Sequence, residues 1–224
     1  MEEVLRSMVV PPSERHVSVS LKEGRFLHDW IVEQRCTASL EVGLAYGMSA
    51  VSMLLAHRQT GGRHTCLDPY QERDFQGRGL HNVEKLGLEG SLEFLPEVAH
   101  QALPRLLAKE RRYDLAFIDG GHLFDQTVVS LFYADLMLNR NGAIVLHDAW
   151  MRSTQMAASF VRYNRDDYAE VSTPHPNLVV LRKRSDHDSR DWDHFREFYT
   201  LKGFFSQRLV KWAVRRGLAR WFYR

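Results

Sequence analysis

Cysteine is almost missing from this chain: Cys36 and Cys66 are the only two in 224 residues. Two thiols cannot build the disulfide framework of a small secreted domain, so a reduced, cytoplasmic protein is expected. No apolar run approaches the roughly 18 residues that a spanning helix needs. The opening Met1-Glu2-Glu3-Val4 has no basic stretch leading into an apolar core, so no secretory signal is expected. A charge excess is also lacking. Thirty basic and 28 acidic side chains leave a net charge of +2, which gives no pull toward nucleic acid as a partner. The asymmetry that exists is local. From Ser206 to Arg224 there are six Arg or Lys and no acid, leaving 24 basic against 28 acidic side chains elsewhere, about −4 net.

What remains is the composition of a globular domain, 44% apolar and 26% charged, with enough length for one α/β core plus an appendage. Residues 1–20 read as irregular, with Pro11-Pro12 opposing a helix. Helical spacing follows over 21–34. Strands are expected at 38–43, 64–68, 91–95, 113–119 and 143–148, separated by helices over 47–58, 77–87, 99–109 and 125–138, the last with Val128, Val129, Leu131, Phe132, Leu136 and Leu138 as core residues. Asn141-Gly142 reads as a turn. After a helix over 151–164, two strands at 168–172 and 178–182 are joined without a helix. Alternating strands and helices imply right-handed parallel units, and a short-loop hairpin must be antiparallel. The expected fold is α/β and Rossmann-like: a seven-stranded, mostly parallel sheet with an antiparallel last strand, helices on both faces, and a C-terminal helical extension.

Within this frame, Ser39 to Val51 reads as a buried strand, a glycine-bearing turn and a helix start, an arrangement suited to binding a nucleotide. The spacing Glu41-x-Gly43-x-x-x-Gly47 is not the Gly-x-Gly-x-x-Gly of dinucleotide sites. Glycines placed for packing alone would give the same letters. Ligands of open parallel sheets lie beyond the strands' carboxyl ends, and here those ends carry Glu41 to Gly43, Asp68, Leu95 to Glu97, Asp119 to His122, and His147-Asp148. Asp119 and Asp148 end neighbouring strands, so their carboxylates can converge on one divalent cation, with His147 as a third ligand. Oxygen donors suit Mg²⁺, whereas an imidazole shifts the preference toward ions such as Mn²⁺. Successive strand residues point to opposite faces, which sets His147 against Asp148 unless the strand has ended.

Glu41-x-Gly43-x-x-x-Gly47-x-Ser49-Ala50 resembles the first motif of class I S-adenosylmethionine (SAM) dependent methyltransferases, closest to the catechol O-methyltransferase-like branch. The resemblance extends over residues 20–184. It implies SAM as cofactor, with Glu41, Gly43, Gly47, Ser49, Asp68, Glu97 and Asp119 around it. Gly43 would approach the methionine part, Glu41 would organise its ammonium through water, and Asp68 would take the ribose. Glu97-Val98 stands at the adenine, where relatives carry an acid. Asp119-Gly-Gly-His122 with His147-Asp148 resembles metal-dependent sugar O-methyltransferases of the macrolide-tailoring type. That likeness implies a metal at Asp119, His147 and Asp148, with His122 as the base. His147 replaces an acid of that pattern, and Ala149 replaces an Asn ligand of catechol methyltransferase.

The resemblance therefore implies O-methylation of a hydroxyl on a sugar, glycolipid or small metabolite, with a small-molecule or glycan acceptor. Two alternatives stand beside it: a metal-independent small-molecule methyltransferase, and a SAM-binding or membrane-associated module without catalysis. Residues 1–184 form the expected domain, with 1–36 as an N-terminal cap. Residues 185–224 form the extension, in which Leu209, Val210, Ala213, Val214, Leu218, Trp221 and Phe222 make an apolar stripe among basic residues. Such a helix suits peripheral contact with an anionic membrane, a partner subunit in a homo-oligomer, a cover for the cleft, or its own domain's surface.

Overall fold

The structure, a computed structural model, describes residues 1–197. The expected helix over 206–224 lies outside the described residues. In chain order the elements are α1 (Glu2–Arg6), α2 (Leu21–Glu33), β1 (Ala38–Val42), α3 (Met48–Thr60), β2 (Arg63–Leu67), α4 (Gln71–Phe75), α5 (Arg78–Lys85), β3 (Leu92–Leu95), α6 (Ala99–Ala108), β4 (Tyr113–Ile118), α7 (Phe124–Met137), β5 (Leu138–Leu146), α8 (Arg152–Asn164), β6 (Tyr168–Val171) and β7 (Val179–Lys183). No described helix is long and apolar enough to cross a membrane.

One seven-stranded sheet has the order β3-β2-β1-β4-β5-β7-β6. The pairs from β3 through β5 are parallel, and β7 lies antiparallel between β5 and β6. Strand alternation sends Leu40, Val42, Ile118, Ile144 and Leu146 to the face covered by α6, α7 and α8. Leu115, Phe117 and Val145 go to the face covered by α2 and α3. Burying side chains of this size stabilises the fold by about 2 kcal/mol each. Helix α2 starts with a capping box, in which Ser20 Oγ accepts from the Glu23 N–H and the Glu23 carboxylate accepts from the Ser20 N–H.

Several local expectations are corrected. The first 20 residues contain α1 and a 3₁₀ segment, Pro12–Val17, in which Pro occupies the start, where it is tolerated. A short helix, α4, interrupts the polar stretch after Asp68. Asn141-Gly142 lies inside β5 as a bulge: Tyr113 pairs with Leu138 but Leu115 with Ala143, and Asn141 takes φ +66°. On α7 the buried face is Thr127, Ser130, Leu131, Ala134 and Met137, whereas Phe132 and Leu136 are exposed. The helix is apolar on most sides, so periodicity could not choose its inner face.

Helix α3 has its last turn against β1 and β2, where His57 is buried. Burial, with His64 beside it, lowers the His57 pKa to about 4 against the opposing pull of Asp114. The folded protein therefore binds fewer protons here than the unfolded chain between about pH 6.5 and 4, and stability falls as pH drops through that window. The expected loss is on the order of 3 kcal/mol. Urea unfolding at a series of pH values is expected to show it, and His57→Gln is expected to flatten the slope. An unchanged slope in that variant would place the acid sensitivity elsewhere.

Candidate functional site

Val42, Leu67, Leu95, Ile118 and Leu146 are aligned across the sheet. The residue after each strand extends the ladder by one bond. Asp68 donates its N–H to Leu95 O (3.1 Å), Gly43 to Leu67 O (2.8 Å), Asp119 to Val42 O (2.9 Å) and His147 to Ile118 O (3.1 Å). Strand order reverses between β1 and β4, so the connections leave in opposite directions and open a crevice there. A cleft of about 340 Å³ occupies it, bordered by Gly43, Asp68, Tyr70, Glu97, Val98 and Gly120. That is within the size range of small-molecule sites.

Gly43 has φ +99°, and a Cβ on it would sit 2.6 Å from Asp119 O. A Cβ on Gly120 would sit 2.9 Å from Val42 O. Glycine is thus required first by the close meeting of two strand ends, which also leaves the crevice floor bare backbone. Gly47, at φ +81°, is the N-cap of α3 and packs over Gly79 O, away from the cleft wall. Asp68 is buried beneath the turn. Its Oδ2 accepts the N–H groups of Leu44 (3.1 Å) and Ala45 (3.0 Å) and the Gln71 amide (2.9 Å), and its Oδ1 accepts the Tyr70 N–H (2.8 Å). Four donors take up the roughly four acceptor sites of a carboxylate, so Asp68 braces the glycine turn as well as bordering the cleft.

Glu41 and Ser49 stand behind the turn, not on the cleft wall. Both are buried, and the Ser49 hydroxyl donates to Glu41 Oε1. Glu97 does border the cleft and pairs with Arg105 at 2.5 Å.

Beyond β4 and β5 lies a charged cluster. β5 ends at Leu146, and Asp148 takes φ +53°, so the strand alternation that would separate His147 from Asp148 no longer applies. His147 Nδ1 lies 2.8 Å from Asp119 Oδ1 and 3.5 Å from Asp148 Oδ1. Its Nε2 lies 3.8 Å from Glu23 Oε1 on α2 and 3.0 Å from the Asn177 amide. Burial alone would lower the His147 pKa, but the surrounding carboxylates outweigh it and raise it to about 10. Burial would raise Glu23, and the nearby His147 together with the bond from Ser20 instead bring it down to about 2. The protonated form of His147 is therefore favoured, with Nδ1–H donating to Asp119 and the charge facing the surrounding acids. Asp119, His122 and Asp148 each offer one donor atom within 4.8 Å of the others, a grouping that includes His122 and leaves out the expected His147. His122 Nδ1 is 3.7 Å from Asp148 Oδ2, and its side chain is 46% exposed. The Trp150 indole N–H donates to Asp148 Oδ1 at 3.0 Å and holds that carboxylate.

Glu23 and Asn177 were not anticipated from sequence. Ser20-x-x-Glu23 is the pattern of a helix cap and carries no signal of the second contact, with His147. Asn177 reaches Asp148 Oδ1 at 3.4 Å from the loop before β7, near the place where Ala149 leaves no amide.

A family model described as a methyltransferase domain matches residues 40–149. Caffeoyl-CoA O-methyltransferase of Populus kitakamiensis is 29% identical over 135 residues, 59% of this chain and 54% of that enzyme, so the chain spans about half the length of the curated relative it matches. Among solved structures, an O-methyltransferase from Bacillus cereus in complex with SAH aligns with a TM-score of 0.65 at 17% identity, covering 82% of this chain and 90% of that one. The O-methyltransferase TomG from Streptomyces achromogenes, in complex with SAM, gives 0.62 at 18%, covering 75% and 82%. The Podospora anserina methyltransferase PaMTH1, bound to SAH, gives 0.66 at 15%, covering 83% and 86%. At these identities the structural likeness concerns the fold.

The strand-end contact predicts two unequal glycine substitutions. Gly43→Ala meets Asp119 O and is expected to cost more than about 2 kcal/mol in chemical denaturation. Gly61→Ala has a similar φ, +71°, with nothing within 4 Å of a new Cβ, and is expected to cost about 1 kcal/mol. Equal losses would remove the close approach as the reason for Gly43.

Proposed function

We propose, from the premise that the chain belongs to the class I SAM-dependent methyltransferases of the catechol O-methyltransferase-like type, that it methylates a hydroxyl of a small-molecule or glycan acceptor. The observation that carries this reading is the convergence of Asp119, His122 and Asp148 beside a cleft at the β1/β4 reversal. SAM, when bound, supplies an activated methyl group on a sulfonium. The chain's tasks are to align the acceptor and remove its proton.

In this reading the bare backbone at Gly43 and Gly120 admits the methionyl part of SAM. Asp68 and Tyr70 border the ribose, and Glu97 and Val98 border the adenine. His122 takes the acceptor proton: it is exposed enough to meet an acceptor, and Asp148 lies close enough to orient its ring. A divalent cation, Mg²⁺ or Mn²⁺, would be held by Asp119 and Asp148, leaving the His122 imidazole as the base. It would lower the acceptor hydroxyl's pKa and fix its position. A second, metal-free reading draws on His147, whose positive charge already compensates Asp119 and Asp148. There His122 acts alone as base.

Thermal-shift measurements are expected to show stabilisation by SAM and SAH and none by NAD. Stabilisation by NAD alone would overturn the reading. His122→Ala is expected to keep the SAH-induced shift and lose at least about 100-fold in turnover; full turnover would remove the base role. Chelation with EDTA is expected to stop turnover and added Mg²⁺ or Mn²⁺ to restore it, whereas full activity after exhaustive chelation would leave the metal-free reading.

A further inference from the structure

A line of buried polar side chains runs under the glycine turn, and none of its members borders the cleft. It begins at Ser49 in the first turn of α3, whose hydroxyl donates to Glu41 Oε1 on β1. Glu41 Oε2 lies 2.9 Å from His64 Nε2 on β2. His64 Nδ1 lies 2.8 Å from the Ser39 hydroxyl on β1, which lies 2.7 Å from His57 Nε2. His57 Nδ1 lies 3.3 Å from Thr60 Oγ1. The line therefore leaves α3 at its first turn, crosses two strands, and returns to α3 at its last turn. Ser39, Glu41, Ser49, His57 and His64 are each at most 4% exposed.

Donor and acceptor counting gives the line one polarity when Glu41 is ionised and both imidazoles are neutral. Ser39 has one proton to give. Thr60 O–H donates to His57 Nδ1, His57 Nε2–H to Ser39 Oγ, Ser39 O–H to His64 Nδ1, and His64 Nε2–H to Glu41 Oε2. Ser49 O–H donates to the other carboxylate oxygen. Each bond polarises the next toward Glu41, and every donor along the line has an acceptor. Apolar residues would bury as well on this face, as Met53 and Ala56 do a few residues away. A fully satisfied polar line does something apolar packing does not: it has one geometry, and so fixes the angle and height of α3 on the sheet. The turn Gly43–Gly47 is suspended between β1 and α3, so its backbone groups inherit that geometry.

We propose that Ser39, His57 and His64 are positioning residues that set affinity for SAM by holding Glu41, Ser49 and hence the glycine turn in place. This rests on the functional reading above. They act through the turn, since the cleft is bordered by other residues.

The test is calorimetric titration of the full chain with SAH, combined with steady-state kinetics at varied SAM. His64→Leu removes both bonds of the ring. It is expected to weaken SAH binding and raise KM for SAM about tenfold or more, the effect of losing a hydrogen bond to a charged group, while kcat at saturating SAM changes less than about threefold. His64→Gln restores a donor toward Glu41 and is expected to recover part of the affinity. Ser39→Ala cuts the line at its middle with little change in volume, and it carries the test if His64→Leu does not fold. Its expected effect is a several-fold loss of SAH affinity at native-like secondary structure. Folded His64→Leu or Ser39→Ala protein with wild-type SAH affinity would overturn the proposal and leave the functional reading standing. Absence of SAH binding in the wild type would overturn both. An equal fall in kcat and kcat/KM without any change in SAH affinity would also overturn it, because the line would then serve the chemical step.

Discussion

The contact on which the rest of the site depends is made by backbone. At the reversal of strand order, Asp119 N–H reaches Val42 O while the Gly43 α-carbon lies under Asp119 O, where no side chain fits. That approach determines three things together. It keeps β1 and β4 parallel to their last residues, it turns the chain sharply at Gly43 toward α3, and it sets the Asp119 side chain at the crevice edge. Had β1 and β4 ended one residue apart, the period of two along a strand would have sent Asp119 to the opposite face. The row of bonds from Asp68 to His147 repeats the same step at each neighbouring strand, so the acids and the histidine emerge level with one another.

Levelling the strand ends concentrates charge. Glu23, Asp119 and Asp148 lie around one imidazole in a region with little water, where three uncompensated carboxylates would repel one another strongly. His147 meets that demand from the end of β5, and the carboxylates around it raise its pKa. The arrangement also binds the N-terminal cap to the core. Glu23 caps α2 with one oxygen and faces His147 with the other, so the entry of α2 and the acid cluster share one residue. A substitution there would be felt in both places, which makes stability and site geometry inseparable at Glu23.

How much of this was legible in the sequence follows from the range over which each signal acts. Strand and helix identity was legible because apolar runs such as Leu115–Ile118 and breakers such as Gly61 act within a few residues. The terminal hairpin was legible because the absence of a helix between two strands leaves only one direction for the second. The bulge in β5 was not, since Asn141-Gly142 carries the same letters in a turn and in a bulge. Phe132 and Leu136 were misplaced because α7 is apolar on most sides and only the neighbours α6 and α8 decide which face is inner. The nearness of Asp119 and Asp148 was legible because the order of strands makes β4 and β5 neighbours. Two of their partners were not: Glu23 and Asn177 arrive from elements 96 and 58 residues apart from Asp119 in sequence.

Two polar constructions thus flank one glycine turn, and they differ in where their members come from. The line from Ser49 to Thr60 is drawn from β1, β2 and α3, the part of the fold that builds the turn. The acid cluster draws on β4 and β5 for Asp119, His147 and Asp148, and on α2 and the loop before β7 for Glu23 and Asn177. A site on a shared fold keeps its common chemistry on the scaffold and its particular chemistry on the segments that vary most freely. In the proposed reading, the line under α3 would serve the cofactor. The contributions of α2 and the β6–β7 loop would then face the acceptor. The residues that tie His147 in place, Glu23 and Asn177, come from the two segments where a change of acceptor would be written.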